Sequence, residues 1–143
     1  MQISSTRFGD FEVPDDRAIS IPDGLLGLPD STNYVVVEID DESPYFWVQS
    51  ADQAELAFLA TTPWLFYPDY EFEIDDAVQA ELEVETIEDV QVVVLLTVHR
   101  DGDDVTALTA NLLGPIVVNT ESRIGKQLVL DSSPYSTQEA LVS

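Results

Sequence analysis

The feature that most restricts this chain is a succession of short apolar runs cut by turn residues. Residues 34–39, Tyr-Val-Val-Val-Glu-Ile, are β-branched and nearly continuous in apolar character, as expected of a strand covered on both faces. Residues 90–98, Val-Gln-Val-Val-Val-Leu-Leu-Thr-Val, form the longest such run. Residues 45–49, 56–61, 105–112, 116–119 and 126–130 add further strands, each closed by Pro, Gly, Asn or a cluster of acids. A hairpin is expected over residues 2–13, turning at Phe8-Gly9-Asp10, and a short strand over 18–21. Asp101-Gly102 marks another hairpin turn. The pattern predicts a mainly β protein, a small antiparallel or mixed β-barrel or roll.

Helix is confined to one or two short pieces. The best helix candidate begins near Asp75 or Asp76; with Asp76 as N-cap, Gln79 falls at the third helical position, the spacing of a capping box, and Ile74, Val78 and Leu82 recur every four residues. Residues 86–89 suit another single turn, and 51–55 form a polar connection with room for one. Residues 70–74 alternate cleanly and read as a strand. The loop over 22–29 carries leucines between prolines and glycines, a composition that tucks under a core more often than it is displayed. Both tryptophans lie between residues 43 and 71, so this aromatic stretch is expected to be the centre of the core, or to carry the core to the surface at one patch.

With 143 residues the chain is long enough for a single domain over 1–143 that buries roughly 70% of its unfolded surface. A polar tail over about 132–143 offers little to pin it down. No apolar run reaches bilayer length, and the start Met1-Gln-Ile-Ser-Ser-Thr-Arg lacks the basic and apolar regions of a signal peptide. A cytoplasmic location is the simplest expectation. The absence of cysteine removes disulfides and thiolate chemistry.

Charge narrows the partners. Five Lys and Arg stand against 28 Asp and Glu, a net charge of −23. Phosphate backbones and anionic membranes are disfavoured, whereas a cationic partner would be steered in by long-range attraction. General acidity for solubility, or for a salt-rich cytoplasm, needs no partner at all.

Catalytic patterns are missing. Gly24 and Gly27 are followed by no Lys-Ser/Thr, so there is no P-loop, and no Gly-x-Ser-x-Gly elbow occurs. His99 is the only histidine and ends an apolar strand. Acid clusters over 39–43 and 100–104 lack EF-hand spacing and read as turns. No catalytic residue, metal or cofactor is expected.

Several strings resemble the flagellar assembly factor FliW family: Gly24-Leu-Leu-Gly-Leu28, Ser43-Pro-Tyr-Phe-Trp-Val-Gln-Ser50, Leu56-Ala-Phe58 and Pro68-Asp-Tyr-Glu71. Thr109-Ala-Asn-Leu-Leu-Gly-Pro-Ile-Val-Val-Asn119, followed by Arg123-Ile-Gly-Lys-Gln-Leu-Val-Leu130, completes the set, in order over residues 3 to 135. One departure is Gly24-Leu-Leu-Gly-Leu28, where Gly-Leu-Pro-Gly-Phe is common in the family. The resemblance implies a cytoplasmic, non-enzymatic protein with a small β-barrel-like fold. It also implies two protein partners, flagellin, bound in a chaperone-like way, and the translational repressor CsrA, whose block on flagellin synthesis is relieved. A flagellin-only chaperone is the alternative within that class, and a carboxylate-based metal-dependent hydrolase the alternative outside it.

Tyr70, Glu71, Asn111, Leu112, Asn119 and Arg123 are the candidate partner-binding residues, being polar groups embedded in apolar strings or apolar groups beside them. For Asn111 and Asn119 the competing role is to satisfy backbone groups at strand ends, for Leu112 it is core burial, and for Arg123 with Lys126 it is pairing with nearby acids. Micromolar Ca²⁺ or Mg²⁺ is predicted to leave the melting temperature unchanged in a thermal-shift assay. A rise would reveal a specific carboxylate site.

Overall fold

The longest apolar run becomes the strand on which the sheet is arranged. The computed structural model describes residues 1–25, 28, 30–130 and 134–140. In chain order its elements are β1 (Gln2–Ile3), β2 (Phe11–Glu12), β3 (Ile19–Ser20), β4 (Asn33–Glu38), β5 (Tyr45–Ser50), β6 (Ala57–Thr61), α1 (Asp76–Leu82), β7 (Val90–Asp101), β8 (Asp104–Ala110), β9 (Ile116–Asn119), β10 (Gly125–Gln127) and β11 (Glu139–Ala140). Strand β7 pairs with three neighbours. Val90 to Val93 lie opposite Asn119 to Ile116 of β9, Val94 and Leu95 opposite Thr61 and Ala60 of β6, and Leu96 to Asp101 opposite β8. A bulge at His99/Arg100 bends the β7–β8 hairpin.

The main path runs β10-β9-β7-β6-β5-β4-β3, and every pairing along it is antiparallel. Its two ends meet at an isolated parallel bridge, Ser20 with Ile124, where Ser20 N donates to Arg123 O at 2.8 Å. The result is an antiparallel roll, not a barrel closed by a continuous ladder. The hairpin expected over 2–13 is present as β1 and β2, with Gly9 at φ 75 in the turn.

Side chains alternate across β7 and β9, so neighbours feed different parts of the core. Val93, Ile116 and Val118 join Ile19, Ile21, Leu25, Tyr34, Val48 and Ala60. Val92 and Val117 instead pack with Leu82, Val84 and Leu128 under α1. Val94 packs with Tyr70, Leu96, Ala110 and Leu112. Both faces of β7 are therefore covered over Val92–Leu96, which explains the continuous apolar run there. Leu25 shows the 22–29 loop to be core-covering at that residue; Leu26, Gly27 and Pro29 lie outside the described residues.

A polar network sits beside this core. Gln49, 0% exposed, accepts from Ser5 Oγ at 2.8 Å and donates to the carbonyls of Ser50 and Ala54. Ser31 Oγ and Ser50 Oγ lie 2.7 Å apart, and Tyr34 Oη donates to Ser31 O. Buried polar groups of this kind are tolerated because each finds a partner.

Four expectations need correction. The N-cap of α1 is Asp75, not Asp76: its Oδ1 accepts from Val78 N at 2.9 Å. Gln79 sits one position too late for a capping box and reaches past the cap to Ile74 O. Residues 70–74 keep the predicted alternation, with Phe72 and Ile74 half-buried and Glu71 and Glu73 exposed, yet they join no ladder. The reason is a tertiary contact: the Tyr135 hydroxyl accepts from Glu71 N and donates to Glu71 O, where a neighbouring strand would bond. Residues 51–55 form bends and turns without a helical turn. The tail is not loose over 134–140, because β11 pairs with β8 and Ser136 O accepts from Leu112 N and Leu113 N. Residues 131–133 and 141–143 of that tail lie outside the described residues.

Gly125 lets β10 approach β9 closely. A Cβ there would stand 2.9 Å from Val117 O and 3.0 Å from Val118 Cγ2. The obstacle is backbone inside the sheet, so Gly125→Ala is predicted to lower stability by about 1–3 kcal/mol, read as an earlier urea midpoint with an unchanged slope.

Candidate functional site

The turn after β6 delivers the aromatic stretch to the surface. Pro63 opens a 3-10 turn over Pro63–Leu65, since proline fits a first helical position and cannot continue a ladder. Trp64 is left 38% exposed and Leu65 62% exposed. The earlier tryptophan, Trp47, is half-buried, with the Arg7 guanidinium 4.4 Å from its ring centroid and Phe8 edge-on to it. The aromatic stretch thus carries the core outward at a patch instead of forming the core's centre, a place taken by Tyr34.

Tyr70 is the hub behind that patch. Its ring meets Trp64 at 6.1 Å, Phe72 at 5.4 Å and Tyr135 at 4.7 Å between centroids. Its hydroxyl donates to Leu112 O at 2.7 Å, and its carbonyl accepts from Trp64 Nε1 at 2.7 Å. Burial pushes the Tyr70 phenol far above its usual pKa, with Tyr135 adding to the effect. Tyr67 is raised by burial and by Glu139, and its hydroxyl bonds to Glu139 O and Ala140 O. The segments 67–72 and 109–113, distant in sequence, are therefore clasped together under residues 135–140.

Beside the hub lies a groove of about 580 Å³. Trp64, Phe72, Ile74, Val84, Val90 and Val92 give it an apolar lining, while Glu71, Glu85, Gln79 and Thr86 supply polar groups. Both glutamates are exposed. Helix α1 fixes one wall: Glu83 ends it in the left-handed region at φ 58, and Val84 N then returns to Gln79 O at 2.9 Å. Asp89 Oδ2 accepts from Glu85 N and Thr86 N and so shapes the following turn.

The six candidate residues fall into two places. Tyr70, Glu71, Asn111 and Leu112 gather at the hub. Tyr70 and Leu112 are buried, Glu71 is exposed, and half-buried Asn111 accepts from Gly114 N at 2.9 Å. Asn119 and Arg123 share a turn elsewhere, in which Arg123 N donates to Asn119 O. Asn119, 5% exposed, donates to Leu82 O and accepts from Glu121 N and Ser122 N, tying α1 to the end of β9. Arg123 has φ 62 and donates from Nη2 to Arg17 O, while its buried Nε finds no partner among the described residues. Lys126 bridges Asp23 at 3.0 Å and Glu81 at 3.2 Å, and these bonds, Asp23 first, raise its pKa. His99 Nε2 lies 2.9 Å from Thr109 Oγ1. Among the described residues no group of three or more His, Cys, Asp or Glu is placed to hold a metal, and no helix is long and apolar enough to cross a membrane.

Sequence reasoning missed Glu85 and Tyr135. Glu85 follows a helix cap whose left-handed residue is not glycine, and Tyr135 stands in a polar string without periodicity. The exposure of Trp64 had one signal, the Pro63 that removes it from the strand.

Fold and groove define the class: an acidic β-roll presenting an apolar surface cleft, a scaffold that works by contact. The FliW protein family model matches residues 2–141. A flagellar assembly factor FliW from Alkaliphilus metalliredigens is 39% identical over 143 residues, covering 99% of this chain and 86% of the relative. One from Desulfitobacterium hafniense (strain DSM 10664 / DCB-2) is 40% identical over 141 residues, covering 99% and 91%. A crystal structure of the flagellar assembly factor FliW superposes with a TM-score of 0.87 at 30% identity, covering 100% of this chain and 98% of that one. The chain belongs to the FliW family. It has a role in flagellar assembly, exercised through protein partners, and it is not an enzyme.

Tyr70→Phe is predicted to cost about 1–2 kcal/mol by leaving Leu112 O without its donor. The three phenols with raised pKa, Tyr34, Tyr67 and Tyr70, stay protonated in the fold after the unfolded chain begins to lose those protons near pH ~10. Their stabilisation is complete below that pH and is lost as pH rises through the raised values. Tyr70→Phe should make the alkaline fall shallower in pH-dependent urea melts. At the acid end, partial burial opposes the charge of Asp52, but hydrogen bonds from Thr32 and Asn33 outweigh it and lower its pKa. That contribution is present above the ordinary aspartate range and disappears as pH falls through the depressed value.

Proposed function

We propose that this chain binds flagellin in a chaperone-like way and sequesters the translational repressor CsrA, relieving the block on flagellin synthesis. It acts in the cytoplasm as one domain over residues 1–143. The supporting observation is the charge of −23 on a chain that the FliW family model matches over residues 2–141. An RNA-binding repressor needs a basic surface to hold phosphate, and an acidic protein seated near that surface opposes RNA electrostatically, even where it leaves the RNA site uncovered.

Contact is assigned to Glu71 and Asn111 at the hub and to Arg123 at the second turn. Tyr70 and Leu112 serve the hub, and Asn119 the turn that carries Arg123, from beneath, by fixing the backbone that presents the contacts. Flagellin and CsrA take turns on the protein, so free flagellin governs how much CsrA remains active.

A pull-down from cell extract followed by mass spectrometry tests the reading. Flagellin and CsrA should both be recovered, and recovery of neither overturns it. Recovery of flagellin alone would leave a flagellin-only chaperone. Glu71→Ala and Asn111→Ala are each expected to weaken partner binding about fivefold, as rim contacts of roughly 1 kcal/mol do. Inhibition of CsrA should weaken steeply as salt rises from 50 to 300 mM, roughly halving the Debye length. A salt-independent inhibition curve would count against the electrostatic mechanism.

A further inference from the structure

We propose that the groove beside Tyr70 is a docking slot for a polypeptide segment presenting a large apolar side chain between Lys or Arg residues. This rests on the reading that the chain works by binding proteins, and it names the place and the chemistry of one contact. Three observations carry it. The groove's floor is apolar and its volume, about 580 Å³, accommodates one or two large side chains. At its mouth stands Trp64, 38% exposed, followed by Leu65, 62% exposed; they are adjacent in sequence, whereas the other exposed large apolar side chains among the described residues are scattered singly.

The third observation selects the occupant. The groove's charged lining residues are Glu71 and Glu85, both exposed, and Glu73 and Glu83 stand exposed on the same segments. None of these four belongs to an ion pair among the described residues. None of the five Lys and Arg residues lines the groove. An apolar slot with an unneutralised anionic rim repels an acidic segment, and repels a second copy of this chain, while it attracts an apolar residue with cationic neighbours. The apolar side chain supplies affinity through burial against Trp64, Phe72 and Val92; the cationic flanks supply register and on-rate.

The 143-residue chain can be titrated with three fluorescein-labelled synthetic peptides of equal length: Phe and Leu flanked by lysines, the same lysines with serine in place of Phe and Leu, and Phe and Leu flanked by glutamates. The lysine-flanked apolar peptide should bind and shift tryptophan emission, and the other two should bind at least tenfold more weakly. Glu71→Lys combined with Glu85→Lys should weaken the first peptide at least tenfold. Asp103→Lys combined with Asp104→Lys, an equal charge change at the exposed far end of the β7–β8 hairpin, should weaken it less than twofold. Both pairs alter exposed side chains, so folding is not at issue. The proposal is overturned if no peptide binds, if the serine peptide binds as tightly as the first, if the glutamate-flanked one does, or if both lysine pairs weaken binding equally. Capture of flagellin and CsrA is read with whole proteins, so failure of the slot and failure of the partner assignment give different results.

Discussion

The structure depends on a strand whose middle, Val92 to Leu96, is covered on both faces and which is engaged along its length by three others. β7 places Val93 in one part of the core and Val92 and Val94 in others, while its backbone holds β9, β6 and β8 in succession. Between the exposed Gln91 and Thr97 it offers no fully solvated position on which a polar substitution is cheap. It also forces the chain to build cover on the outside of the roll. α1 with Val84 supplies that cover at one end, and Tyr70, Leu112 and the segment from Tyr135 supply it at the other. The groove is the seam between these covers, so the surface feature assigned to function follows from a packing requirement.

Charge is handled with very few cations. Arg7 lies on Trp47, Arg123 reaches Arg17 O, and Lys126 holds Asp23 and Glu81 together. Exposed pairs of this kind contribute little individually, so most carboxylates remain uncompensated and the compact state bears their mutual repulsion. Asp52 and Asp75 show how single acids are made useful, each accepting backbone N–H groups at a turn or helix start.

Much of the sheet was legible because β-branched runs and turn residues carry their own geometry. The strands around Tyr34, Trp47, Val93 and Val117, the Asp101-Gly102 turn and the short helix all follow from local pattern. What escaped was set by tertiary partners. The 70–74 segment has a strand's alternation but its backbone is claimed by the Tyr135 hydroxyl, a contact 64 residues away. Residues 134–140 looked featureless because their anchors, Tyr67, Tyr70 and β8, lie elsewhere in the chain. Asp75 and Asp76 are chemically equivalent caps, and the local pattern does not decide between them; in the fold Asp75 Oδ1 takes Val78 N. At the site, polarity within apolar strings pointed to Tyr70, Glu71 and Asn111, and so to the right neighbourhood. It could not separate Glu71, which faces water, from Asn119, whose amide is used up on the chain's own backbone.

The seam between β3 and β10 has a kinetic consequence. Ser20 meets Ile124, Arg17 meets Arg123 across 106 positions, and Asp23 meets Lys126 across 103. No local turn brings these pairs together, so closing the seam carries the loop-closure cost of about a hundred intervening residues. On a ribosome, the first strands must wait as open, unsealed edges until residues 123–126 have emerged. The heavy negative charge that burdens the finished molecule then keeps those waiting chains apart.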